Sequence, residues 1–298
     1  MHPEWPLILF TFFLCVAGGT FGAQGVLTVM GKGRSTQLPS LVTALAALAV
    51  GGAAVFLHLQ HWERIFNGFG HITSGITLEL IGCVVFAVAL ALYFLMMRRS
   101  EEGAAPVWCG IMAVAVGLAL PAVTGMSYLM PALPSWDSPL LVAFYLTNTV
   151  FMGGMVSLIL TGLTKSEGSR GIGVRLALVG GLLQAAVVLV YAFVVNGSAD
   201  LYSADISYYF DPTLPDVAMV DPPSLMQSIL AGSQAVPFWI GVIVVGIAAA
   251  LALLWPIRRL EGTTLAVVAG IALACTVVGS LSWRVILYVV ALNVFALY

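Results

Sequence analysis

Along this chain, long apolar runs alternate with short polar breaks. With a window of about 19 residues, the runs fall near residues 7–30, 39–60, 75–97, 107–130, 140–164, 174–196, 235–257 and 265–290. The breaks carry turn punctuation, as in Gly31-Lys32-Gly33-Arg34, Arg98-Arg99-Ser100-Glu101-Glu102 and Pro131-Ala132-Leu133-Pro134. A hydrocarbon core needs about 20 residues of helix, whereas a barrel strand needs about ten with strict alternation. These runs are long and barely alternate, and backbone groups in lipid must be paired within their own segment. The pattern therefore predicts an all-α integral membrane protein, a bundle of eight transmembrane helices forming a single domain over 1–298.

Composition sharpens this. Of the 298 residues, 61% are hydrophobic and 8% charged, against roughly 45–50% and 25% in soluble proteins. A mean hydropathy of +1.06 leaves too much apolar surface for one water-facing globule. The net charge of −2 and the lack of a basic stripe exclude nucleic acid as a partner. Cys15, Cys83, Cys109 and Cys275 lie inside apolar runs without CxxC spacing, so neither a disulfide framework nor a zinc or iron–sulfur site is expected. The opening Met1-His2-Pro3-Glu4-Trp5-Pro6 has no basic n-region, so the first span is expected to stay in the mature protein.

Charge distribution orients the bundle. Turns after the odd spans hold Lys32, Arg34, Arg98, Arg99, Lys165, Arg170, Arg175, Arg258 and Arg259, nine of the 11 basic residues, while turns after the even spans hold only Arg64. By the positive-inside rule both termini face the outer, periplasmic side. The long connection 197–234 is then an acidic outward loop carrying Asp200, Asp205, Asp211, Asp216 and Asp221 with Tyr202, Tyr208, Tyr209 and Phe210. A cap folded over the bundle and a partner-docking segment explain those aromatics equally well.

Ionisable groups in or at the ends of spans are costly in lipid and mark functional hypotheses. His58 ends the second span, Glu79 lies four residues into the third, and Arg284 sits well inside the last. Under this topology all three lie toward the outer half, which predicts a polar pocket there, closed by the connection 61–67. Each also fits an ordinary role: an interfacial imidazole, a first-turn carboxylate complementing the helix dipole, and a snorkelling or Glu79-paired guanidinium. The histidines His2, His58, His61 and His71 all fall on the outer side and offer no facing pair across helices, so no haem is expected. His58, His61 and His71 with Glu63 are too loosely spaced to predict a metal site.

His2-Pro3-Glu4-Trp5-Pro6-Leu7-Ile8-Leu9-Phe10-Thr11 resembles the H-E-W-P-L-x-x-F-T start of the membrane anchor subunits of dimethyl sulfoxide reductase, with Pro3 as an extra residue. His58-Leu59, Arg64-Ile65-Phe66-Asn67 and Thr77-Leu78-Glu79-Leu80 are similar to that family's H-L-G-x-P-x-R-A-F-N and S-x-E-I. Pro134-Ser135-Trp136, Met152-Gly153-Gly154 and Gly279-Ser280-Leu281-Ser282-Trp283-Arg284 with Tyr288 resemble its P-T-W, M-G-G and G-E-L-x-G-R-x-x-x-Y. Departures are Gln60 and Trp62 in place of Gly and Pro, and Ser280 in place of an acidic residue.

The resemblance implies an anchor and quinol-oxidising subunit of a molybdopterin oxidoreductase of anaerobic respiration, multi-pass in the bacterial inner membrane. Its implied partners are a four-cluster iron–sulfur subunit and a molybdopterin catalytic subunit. The implied substrate is menaquinol, bound by His58, Arg64, Asn67, Glu79 and Arg284, with His58 and Glu79 as proton acceptors. The terminal oxidant would be chosen by the catalytic subunit, and the chain itself does not perform the terminal reduction. Two alternatives stand beside this: a secondary transporter with a buried proton or ion site, and a purely structural anchor.

Overall fold

The computed structural model describes residues 3–58, 70–71, 73–166, 168–197 and 228–291. Its helices are α1 (Trp5–Val29), α2 (Gln37–His58), α3 (Gly75–Arg99), α4 (Val107–Ser127), α5 (Pro139–Thr164), α6 (Arg170–Asn196), α7 (Pro237–Ile257) and α8 (Gly262–Val290). All 8 are long and apolar enough to cross a membrane, and the described residues contain no strand.

One element departs from the uniform helix expected over 235–257. Residues Pro237–Ala249 of α7 form a π-helix, and only Ala250–Ile257 continue as α-helix. Pro237 starts the element, where its missing N–H removes no helical bond. Within the wide-turn stretch, Gly246 lies backbone to backbone with Gly279 of α8, a contact that no side chain would permit. Pro121, by contrast, is carried inside an unbroken α4.

Helices α1 and α5 are the most buried of the eight. Around α1, Leu14, Phe21, Leu41, Phe86, Tyr93 and Cys109 tie α1–α4 into one cluster, with Phe21 edge-on to Phe86 and Tyr93. A second cluster joins the starts of α1 and α5 to α6, α7 and α8 through Ile8, Phe144, Tyr191, Phe238 and Trp283. The seam between the halves is the α1–α5 crossing, where Gly19 and Gly153 face each other so closely that a Cβ on either would strike the other helix's backbone. Small residues at such crossings let van der Waals packing replace the hydrophobic effect, which is absent between helices in lipid. Gly153→Leu should therefore lower the thermal midpoint of the detergent-solubilised protein by several degrees, an overpacking penalty of about 1–3 kcal/mol. Gly22→Ala, which points into open space, should leave it unchanged; equal behaviour of the two variants would refute the seam.

The basic residues Lys32, Arg34, Arg98, Arg99, Lys165, Arg170, Arg258 and Arg259 gather at one end of the bundle, in the turns after α1, α3, α5 and α7. There Arg170 Nη1 donates to Leu260 O at 2.6 Å and meets Glu261 Oε1 at 3.2 Å. Helix α1 begins and α8 ends at the opposite end, where Trp136 Nε1 donates to Leu287 O at 3.0 Å. The long connection leaves from that same end. Asn196 Oδ1 closes its base by accepting from Ser228 Oγ at 2.8 Å and Ile229 N at 3.2 Å. The five aspartates and the aromatics expected in this loop lie outside the described residues.

Candidate functional site

At the end opposite the basic turns, α1–α4 enclose a cavity of about 350 Å³. Leu7 and Phe10 of α1, Gly52 and Val55 of α2, and Leu80 and Cys83 of α3 form its walls. Four polar side chains interrupt this surface: His58, Glu79, Ser127 and Tyr128. Phe56 and Ile76, also on the wall, are respectively 48% and 64% exposed. The cavity is thus bordered on its α2 and α3 walls by exposed apolar side chains.

The expected convergence of His58 and Glu79 is thus found. Glu79 is only 8% exposed, and its Oε1 accepts from Ser127 Oγ at 2.5 Å. The same Ser127 hydroxyl lies 2.8 Å from the carbonyl of Thr124. Because α4 ends at Ser127, this hydroxyl is presented at the helix terminus, across from the first turns of α3. His58 occupies the last turn of α2, and its Nε2 stands 3.5 Å from Glu4 Oε2. Both partners are partly exposed, so one titratable group of the cavity is shut in and the other reaches the rim.

Arg284 lies elsewhere. It is buried, at 2% exposure, in a recess behind Tyr128 that has about 10 Å³ of free space, close to one water. Tyr128 lines both spaces. Arg284 Nε donates to Thr11 Oγ1 at 3.2 Å, Nη1 to Asn148 Oδ1 at 3.3 Å and to Ser280 Oγ, and Nη2 to Cys15 Sγ at 3.3 Å. Its guanidinium carbon sits 5.0 Å from the ring of Phe144, 5.2 Å from Tyr145 and 5.9 Å from Phe12. The partners are neutral oxygens, a thiol and aromatic faces, so neither the snorkelling role nor the Glu79 bridge describes it. Ser280, the position that departs from the family pattern, is one of those partners.

Arg64 and Asn67, expected to position the headgroup, lie outside the described residues, as do His61 and the rest of the connection 61–67. Among the described residues, no group of three or more His, Cys, Asp or Glu side chains is placed to hold a metal ion. Three residues of the site were missed in the sequence. Ser127 and Tyr128 carry no charge and so gave no signal, whereas Glu4 was visible within the opening motif but was read only as part of the terminus.

The model of the family described as DMSO reductase anchor subunit (DmsC) matches residues 1–288, nearly the whole chain. The chain belongs to that family. No curated protein matches it. As a DmsC-family anchor subunit it is a multi-pass membrane protein that associates with a DMSO reductase complex. Family membership covers both halves of the bundle, so the cavity among α1–α4 and the Arg284 recess belong to one anchor subunit.

Proposed function

We propose that the α1–α4 cavity binds menaquinol from the bilayer and that this subunit oxidises it, passing electrons to a partner iron–sulfur subunit and from there to a molybdopterin catalytic subunit. The single observation that carries this reading is that His58 and Glu79 line one largely apolar cavity among α1–α4. Quinol oxidation releases two protons and two electrons, so its site needs apolar walls for the ring and tail and two groups able to accept protons. His58 suits the first transfer because imidazole changes charge near neutral pH. Glu79 suits the second. Ser127 has one hydroxyl hydrogen for two acceptors, Glu79 Oε1 and Thr124 O. A proton on Glu79 completes this chain, with the carboxyl donating to Ser127 and Ser127 to Thr124.

The basic turns support a cytoplasmic assignment for the opposite end by the positive-inside rule, and in this reading the cavity, the start of α1 and the end of α8 face the periplasmic side of a bacterial inner membrane. Protons then leave outward during anaerobic respiration. Arg64 and Asn67 would position the headgroup, while Arg284, behind Tyr128, would act on the site by its charge and not by contact. No haem or metal in this chain is required. Family membership favours this role over a secondary transporter.

The test is reduction of the partner's clusters, followed by freeze-trapped paramagnetic resonance in membranes supplied with a menaquinol analogue. Glu79→Gln keeps size and hydrogen bonding but accepts no proton in this way, so the rate should fall by about 10²–10⁴. Cluster reduction at the parent rate in this variant would remove Glu79 from the reaction.

A further inference from the structure

We propose that Glu4 is a positioning residue that orients His58 and carries its proton to the aqueous rim, an inference that rests on the quinol reading above. Glu4 stands at the N-cap of α1, yet its side chain makes no capping hydrogen bond. The carboxylate is therefore not engaged in closing its own helix. Its Oε2 instead lies 3.5 Å from His58 Nε2, joining the start of α1 to the end of α2, two of the helices that wall the cavity. The Glu4 side chain is 48% exposed and the His58 side chain 40%, whereas Glu79 is 8% exposed. Among the described residues, His58 and not Glu79 has a carboxylate beside it at the solvent-exposed rim.

The chemistry follows from the two ring nitrogens. A neutral imidazole carries hydrogen on one nitrogen and a lone pair on the other. A carboxylate beside Nε2 favours the tautomer with hydrogen there and leaves the Nδ1 lone pair for a ligand in the cavity. One quinol O–H bond breaks, its proton goes to Nδ1, and the Nε2 proton passes to the Glu4 carboxylate and on to water. One electron leaves to a one-electron iron–sulfur acceptor of the partner subunit. The second hydroxyl gives its proton to Glu79 and the second electron follows the first, leaving quinone. The phenols of Tyr128 and Tyr288 also feel the charge of Glu4, but phenols are far weaker acids than carboxylic acids and hold their protons near neutral pH.

The experiment uses the complete complex in its membranes, with cofactor content confirming assembly, and a soluble menaquinol analogue as donor. Glu4→Gln should lower kcat by about 10–100-fold with KM unchanged within about twofold. A larger solvent deuterium isotope effect should accompany the loss as proton transfer becomes limiting, and Glu4→Asp should recover much of the rate. The inference is overturned by a Glu4→Gln kcat within about twofold of the parent, or by a loss in which KM rises as steeply as kcat falls. His58→Ala assayed alongside separates the two levels of the argument. Loss of turnover in that variant alone removes Glu4 and keeps the quinol site, whereas parent turnover in both removes the quinol site as well.

Discussion

Replacing His58 with Ala is expected to abolish quinol-dependent reduction of the partner's clusters, by at least about 100-fold, while the complex still assembles. The side chain ends α2 at the rim of the cavity and is partly exposed, so its removal deletes no buried packing. What it deletes is the proposed proton acceptor, a partly exposed imidazole that is the partner of Glu4. The loss should be selective: a small artificial electron donor that bypasses the membrane subunit should still drive the terminal reduction at the parent rate. Unchanged turnover of His58→Ala with a soluble quinol analogue would refute the assignment, because no other imidazole among the described residues lines this cavity.

Arg284→Ala is expected to act through stability. The guanidinium supplies hydrogens to Thr11, Asn148 and Ser280 on α1, α5 and α8, and is packed among the rings of Phe12, Phe144 and Tyr145. Truncation removes the guanidinium donors to Thr11 Oγ1 and Ser280 Oγ and leaves Asn148 Oδ1 only the Ser280 hydroxyl, losses of about 1–3 kcal/mol each, and opens a cavity besides. The combined penalty is about 3–5 kcal/mol, enough to lower the thermal midpoint of the solubilised protein by ten degrees or so. Arg284→Lys should recover little, since one ammonium cannot reach acceptors spread over α1, α5 and α8. A midpoint within a degree or two of the parent for Arg284→Ala would show that these bonds do not hold the halves together.

The two predictions separate because His58 sits at the rim of the cavity and Arg284 in the core. His58 and Glu79 line the cavity, and His58, partly exposed at the end of α2, can be changed without removing a buried contact between helices. Arg284 and the Gly19–Gly153 contact lie on the interfaces that bring α1, α5 and α8 together, so changes there reach the whole bundle. In lipid such interfaces lack hydrophobic drive and depend on close backbones and interhelical hydrogen bonds. That dependence explains why a cation is tolerated at 2% exposure: three aromatic faces and several oxygens replace water around it.

Eight helices could be read from the order of residues alone, because the thickness of the bilayer sets the length of each apolar run and forces it to satisfy its own backbone. That His58 and Glu79 would stand at the same end of the bundle was legible for a related reason: ionisable groups are so rare in these spans that each one stands out. The sequence determined no more than that about the site. Tertiary structure alone decided that Ser127 meets Glu79, that Glu4 meets His58, and that Arg284 turns away from Glu79 toward Thr11 and Asn148, which lie 273 and 136 residues from it along the chain. It also decided the π-helical opening of α7. Partners of this kind are chosen by which helices touch and at what rotation, and a nearly uniform apolar stretch carries little record of its own rotation.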